Sequence, residues 1–219
     1  MSQGQHQEKK QGSRVFDLKY QLLQYGSHHH HPWNVGIHLT CIPLILWSGL
    51  VWGARTGPLI AAPSAAAVAS GAPLAVALSK VYQVLPPNFS VLAMVAYTTY
   101  YTKLDKVAGL LTAPIFLGLA AHATHFQSTN PNANKIALGI HVFAWVMQFI
   151  GHGVYEKRAP KLLDNLLQAL VLAPYFVVYE VLFYFGYRPQ LKKELDVLIK
   201  ADIAEFKAKK AAAKKTKSQ

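Results

Sequence analysis

Between Trp33 and Phe126 the sequence carries only five charged residues: Arg55, Lys80, Lys103, Asp105 and Lys106. Such a stretch has too few surface-forming side chains to cover a water-soluble fold, since a typical soluble domain is about 25% charged. The whole chain of 219 residues is 15% charged and 52% hydrophobic. Its charges are displaced to the ends. Lys9, Lys10, Arg14 and Lys19 lie in a polar start. The C-terminal stretch holds Lys192, Lys193, Lys200, Lys207, Lys209, Lys210, Lys214, Lys215 and Lys217. This is the pattern of a membrane protein with two polar tails.

A net charge of +12 raises the question of nucleic acid, and the placement of the charge argues against it. The basic residues form a lysine tail with no aromatic-interleaved motif and no reader fold. Lysine tails next to apolar spans fit the cytosolic side of a membrane instead. The single cysteine, Cys41, excludes an intramolecular disulfide and reads as a small packing residue in an apolar run. The polar start is no signal peptide, so a transmembrane segment is expected to serve as the insertion signal.

Five or six apolar blocks follow one another. "VGIHLTCIPLILWSGLVWGA" is about one bilayer thickness long, and Pro43 inside it predicts a kink. "GPLIAAPSAAAVASGAPLAVAL", rich in Ala, Gly and Pro, reads equally as a poor span, a re-entrant piece or a loop. "FSVLAMVAYTTYY" is short and suited to a hairpin or partial entry. "VAGLLTAPIFLGLAAHATHF", "IALGIHVFAWVMQFIGHGVY" and "LLDNLLQALVLAPYFVVYEVLFYF" complete the set, and "QSTNPNAN" is the clearest turn. The expected fold is all-α: a polytopic helical membrane protein with about four transmembrane spans plus shorter or re-entrant helices. Two basic tails require an even number of crossings if both termini face the cytosol. The expected organisation is a polar basic N-terminal segment (1–24), a membrane-embedded catalytic domain (25–188) and a basic amphipathic, lysine-rich cytosolic tail (189–219). In that tail Leu195, Leu198, Ile199, Ile203 and Phe206 share one side of a helix, which suits either the membrane surface or a solvated extension.

Ionisable residues inside apolar spans are costly and mark function. Here they are His38, His122, His125, His141, His152 and Glu180, with a run His28, His29, His30, His31 just before the first block. The run is internal and leads into an apolar segment, which disfavours a purification handle. His141 and His152 are eleven residues apart and return to nearly the same helix face, about 16 Å apart along the axis. One metal spans that gap only if the helix breaks, which Gly151 and Gly153 permit; two metals are the other solution. His122 and His125, at i and i+3, share a face and read as interior packing. A lone histidine is more often a hydrogen-bonded interior residue than a ligand. The set is less easily dismissed, because neutral imidazole is a standard ligand for Fe and Zn. No HExxH, GxSxG or phosphate-cradling glycine loop is present.

From His141 to Phe183 the sequence closely resembles the fungal endoplasmic reticulum family of 2-hydroxy fatty acid dioxygenases that act in phytosphingosine breakdown. The matching features are His141, Trp145, "QFIGH" (Gln148 to His152), "EKRAP" (Glu156 to Pro160), "LAP" (Leu172 to Pro174) and Glu180. The N-terminal half matches at Tyr25, His29, Asn34, His38 and Pro43. The family's first histidine lies five residues before its asparagine, which selects His29 from the run and leaves His28, His30 and His31 without counterparts. The resemblance covers most of the chain between Phe16 and Arg188 and is weakest between Thr56 and Asn88.

The resemblance implies Fe(II)-dependent dioxygenation that shortens a 2-hydroxy fatty acid by one carbon, in the endoplasmic reticulum membrane, without 2-oxoglutarate. It implies His29, His38, His141 and His152 as catalytic residues and metal ligands. They leave positions open for O2 and for a substrate chelating through its hydroxyl and carboxylate. Glu156 or Glu180 is expected to orient a ligand imidazole. Lys157 or Arg158 is expected to hold the substrate carboxylate, with Asn34 and Gln148 nearby. The expected partners are the 2-hydroxy fatty acid, O2 and the lipid bilayer, with no nucleic acid. Two rivals remain: another lipid-acting membrane metalloenzyme, and a non-enzymatic membrane scaffold whose histidines only pack.

Overall fold

The computed structural model describes residues 14–158 and 166–216. The chain before Arg14, the end of the "EKRAP" cluster at Ala159 and Pro160, and the last three residues lie outside them. Among the described residues there is no strand. The helices are α1 (Leu18–Gly26), α2 (Pro32–Gly53), a short 3-10 turn (Ala54–Thr56), α3 (Ala65–Ala69), α4 (Pro73–Val84), α5 (Phe89–Leu104), α6 (Lys106–Thr129), α7 (Ala133–Ile150), a π-helical turn (Gly151–Glu156), α8 (Leu166–Tyr184) and α9 (Pro189–Thr216).

Among the described residues three helical stretches are long and apolar enough to cross a membrane: Pro32–Thr56, Lys106–Thr129 and Ala133–Glu156. Leu170–Tyr184 and Pro189–Ala213, bent by 117°, make a fourth if counted as one broken span. The Ala/Pro-rich block supplies only α3 and α4. On α6 and α7 large apolar side chains such as Leu110, Ile115, Val142, Phe143 and Phe149 are exposed. Large exposed apolar patches are rare on a soluble monomer, and lipid would cover such side chains without cost. Pro43 is accommodated inside α2, which continues past it.

The chain divides into two compact units, one of residues 1–39 and 148–219 and one of residues 40–147. In the second unit, α5 and α6 form a tight helical hairpin around Asp105. Its carboxylate accepts the N–H groups of Val107 and Ala108 and so caps α6. Asn88 caps α5 through the N–H of Val91 and donates to Thr124 Oγ1 at 3.0 Å. Tyr101 is fully buried, with its ring against Phe116.

In the first unit, α8 ends at Tyr184, and Gly186, with φ of 81°, turns the chain toward α9. The amphipathic C-terminal helix does not stand apart as a tail. Leu195 is buried, Ile199 fills the space above Gly26 on α1, and Lys19 pairs with Glu194 at 2.6 Å. The apolar stripe read from the sequence is partly covered by α1 because Gly26 offers no side chain to hold the two helices apart.

The hairpin supports a direct test. A Cβ on Gly109 would meet the backbone of Thr102, whereas one on Gly118 meets nothing. Gly109→Ala should destabilise the protein by about 1–3 kcal/mol through overpacking, and Gly118→Ala should not. Thermal unfolding of both variants in detergent checks this.

Candidate metal centre

Three pieces of the first unit build the site: the loop after α1, the first turns of α2, and the π turn that follows α7. His29 donates from Nδ1 to the carbonyl of Tyr25 at 2.7 Å. Its ring lies on the Tyr25 ring, 4.3 Å away and 10° from parallel, with Phe176 of α8 at 5.2 Å. His38 donates from Nδ1 to the carbonyl of Asn34 at 2.9 Å. A carbonyl only accepts, so in each neutral ring the proton sits on Nδ1 and Nε2 carries a lone pair. Those two Nε2 atoms face each other at 2.9 Å. Two lone pairs at that separation repel unless a cation shares the space.

His152 completes the cluster. Its ring centroid lies 4.9 Å from that of His29 and 5.0 Å from that of His38, nearly perpendicular to both. The three residues are buried, and one ring nitrogen of each lies within 4.8 Å of the others. Nδ1 of His152 is buried with no hydrogen-bond partner. Burial first, then the neighbouring His38 and His152, hold the His29 imidazole well below its ordinary pKa. It is therefore neutral at physiological pH, as a ligand must be. At an imidazole–metal distance of about 2.0–2.1 Å, two ligand nitrogens at right angles lie about 3 Å apart. The cluster fits a metal ion on both counts.

The break in the helix has a definite form. Residues Gly151–Glu156 adopt a π-helical turn, a distortion that often marks functional sites. Gly151 is required there, because a Cβ would run into the side-chain oxygen of Asn34; Gly153 faces open space.

Glu156, on the last residue of that turn, is the anchor of the histidine loop. Its Oε1 accepts the N–H groups of His30 and His31, each at 2.8 Å, and the Asn34 amide at 3.0 Å. His30 Nδ1 sits 2.5 Å from Oε2. The carboxylate thus touches no ring of the triad, and acts on the loop that carries His29 and on the residue whose carbonyl orients His38. The run's other members acquire structural roles that spacing did not reveal. His30 and His31 supply backbone donors, and His28 bonds Ser27 Oγ and the Gln24 carbonyl.

The remaining sequence candidates are placed as follows. His141 belongs to the second unit and lies outside the group that could hold a metal. Trp145 Nε1 donates to its Nε2 at 2.9 Å, which leaves the ring proton on Nδ1 to reach Ser48 Oγ at 2.8 Å. Both nitrogens are therefore engaged, and a metal would have to displace a bond. His122 and His125 are exposed on α6 rather than interior, with His122 accepting from Trp47. Arg158 donates to the Ser27 carbonyl at 2.9 Å and to Asp202 at 2.8 Å, with its guanidinium 4.5 Å over the Phe206 ring. It fastens α9 to the histidine loop. Glu180 lies on α8, where the charges nearest to it are Lys192 and Asp196. Gln148 is buried, one turn before His152, with neither amide atom hydrogen-bonded.

Comparison with known proteins supplies the family. Residues 15–185 match the family model described as "2-hydroxy-palmitic acid dioxygenase Mpo1-like". The chain belongs to the Mpo1-like family. It is similar to the 2-hydroxy-palmitic acid dioxygenase MPO1 of Saccharomyces cerevisiae, 36% identical over 187 residues, which cover 84% of this chain and 91% of that protein. No solved structure matches it. The matched region contains every member of the triad and Glu156.

Removing the anchor should be expensive. Glu156→Ala strands two backbone N–H groups and the Asn34 amide. It should cost about 3–5 kcal/mol, the range for breaking a buried charged network. Glu156→Gln, which keeps an acceptor, should cost less. Chemical denaturation of the purified variants measures both.

Proposed function

We propose that the chain is a metal-dependent dioxygenase that shortens 2-hydroxy fatty acids by one carbon, with Fe(II) held by His29, His38 and His152. The observation that carries this reading is the pair of Nε2 lone pairs, both fixed by backbone carbonyls, that meet at 2.9 Å beside a third buried imidazole. Histidines that only pack leave that confrontation unexplained, which disfavours the scaffold. Among the described residues the single candidate group holds three ligands, which disfavours a diiron hydroxylase or desaturase. Family membership and the name of the yeast relative supply the substrate class.

Iron in such a site supplies the electrons that make O2 reactive toward carbon. Three neutral protein nitrogens would hold the ion, and an ion so held would have room for O2 and for a substrate whose hydroxyl and carboxylate sit on adjacent carbons. The protein's own contribution is orientation. The Tyr25 and Asn34 carbonyls fix the tautomers of His29 and His38, the Tyr25 and Phe176 rings hold His29 from the side, and Glu156 closes the loop. Such support around ligands commonly decides metal affinity by 10- to 100-fold. The acyl chain lies among the apolar helices. The reading also includes a place in the endoplasmic reticulum membrane with both termini cytosolic, a role in phytosphingosine breakdown, and no need for 2-oxoglutarate.

Purified protein should carry about one iron per chain and convert 2-hydroxypalmitic acid to the acid one carbon shorter. His29→Ala, His38→Ala and His152→Ala should each lose iron and activity while still inserting in membranes. His141→Ala should keep its iron and lose thermal stability instead. Iron lost from His141→Ala but retained in His152→Ala would sink the ligand assignment. Orientation is read by protease treatment of terminal tags in sealed microsomes, where both tags should be cut.

A further inference from the structure

Among the described residues of the first unit, the buried side-chain atoms without a hydrogen-bond partner are Asn34 Oδ1, His152 Nδ1, both amide atoms of Gln148, and Glu156 Oε2, the last of which has His30 Nδ1 beside it. Gln148 stands out because it is only 5% exposed and lies inside an apolar candidate span. Native proteins leave few such groups unpaired, and those that remain concentrate where a ligand completes them. Gln148 precedes His152 by four residues, which places it on the same helix face, about 6 Å further toward the middle of the span.

We infer that Gln148 is the residue that recognises the 2-hydroxy acid headgroup, and so sets the requirement for a 2-hydroxyl. This rests on the activity proposed above and adds a specificity-determining residue to it. A 2-hydroxy acid carries one O–H donor beside an anionic acceptor. A primary amide carries one carbonyl acceptor beside N–H donors. Oε1 accepts from the 2-hydroxyl, and Nε2 donates to the carboxylate. Both halves of the amide are then satisfied by one ligand. An unsubstituted fatty acid leaves Oε1 buried and unpaired, and a site built to bond a hydroxyl rejects the analogue that lacks it far more strongly than an apolar pocket does. A neutral amide suits the task better than arginine, because a guanidinium accepts nothing and could not read a hydroxyl hydrogen. Arg158 is in any case engaged with Ser27 and Asp202.

The test compares affinities for 2-hydroxypalmitic and palmitic acid in the iron-loaded protein, the first from KM and the second as a competitive inhibitor, with iron content and thermal stability measured alongside. Gln148→Met removes the amide at nearly constant length. It should keep its iron, melt at or above the wild-type temperature, and lose at least tenfold of the preference for the 2-hydroxy acid. Gln148→Glu keeps the acceptor but sets a carboxylate against the substrate's own. It should weaken both acids together and leave the preference close to wild type. If Gln148→Met discriminates as well as wild type, the inference is overturned. It is equally overturned if that variant loses iron, or if its melting temperature falls while the preference stays, since Gln148 would then be supporting the fold. If the wild-type protein itself shows no preference for the 2-hydroxy acid, the proposed activity fails instead, and the two failures are told apart by that arm alone.

Discussion

One buried carboxylate holds the histidine cluster in register. Glu156 joins the π turn to backbone groups as many as 126 positions away in the sequence, and it does so with charge-assisted bonds in a place where water cannot compete. Without it the His30 and His31 amides at the entry to α2 would have no partner, in a chain whose other polar groups are scarce. The loop that presents His29 has no regular structure of its own between α1 and α2. Its position is set by this anchor on one side and by the Tyr25 and Phe176 rings on the other.

The second requirement is close approach. Gly151 lets the π turn sit against Asn34, and Gly26 lets α9 sit against α1. Arg158 then links the end of the π turn to α9 and to the loop. The C-terminal helix, the most charged segment of the chain, is thereby part of the framework around the site. Lys210 adds a bond to the Lys157 carbonyl, where the backbone takes the left-handed conformation with φ of 53°.

Much of this was legible in the sequence, and the limits have physical causes. Scarcity of charge between Trp33 and Phe126 fixed the class of fold, because that property is a sum over many residues and needs no geometry. The suspicion that the helix opens near Gly151 came from the spacing of His141 and His152. His141, which the resemblance places among the ligands, lies outside the group that could hold a metal, and its spacing could not show this. Periodicity reports the direction a side chain leaves a helix, not what it meets there, and Trp145 and Ser48 occupy both its nitrogens. The Glu156 anchor was out of reach for a different reason. Its partners are chiefly backbone N–H groups, which every residue but proline possesses, so no pattern of side chains announces it. The packing of α9 on α1 was hidden likewise, since an amphipathic stripe says that something covers it without saying what.

The triad lies close to the ends of its two helices. His38 is about 9 Å inside the start of the span at Pro32, and His152 about 6 Å inside the end at Glu156, by the helical rise. In a bilayer that depth is the zone just beneath the headgroups, not the hydrocarbon midplane. A polar headgroup would meet the triad there without being carried to the middle of the hydrocarbon.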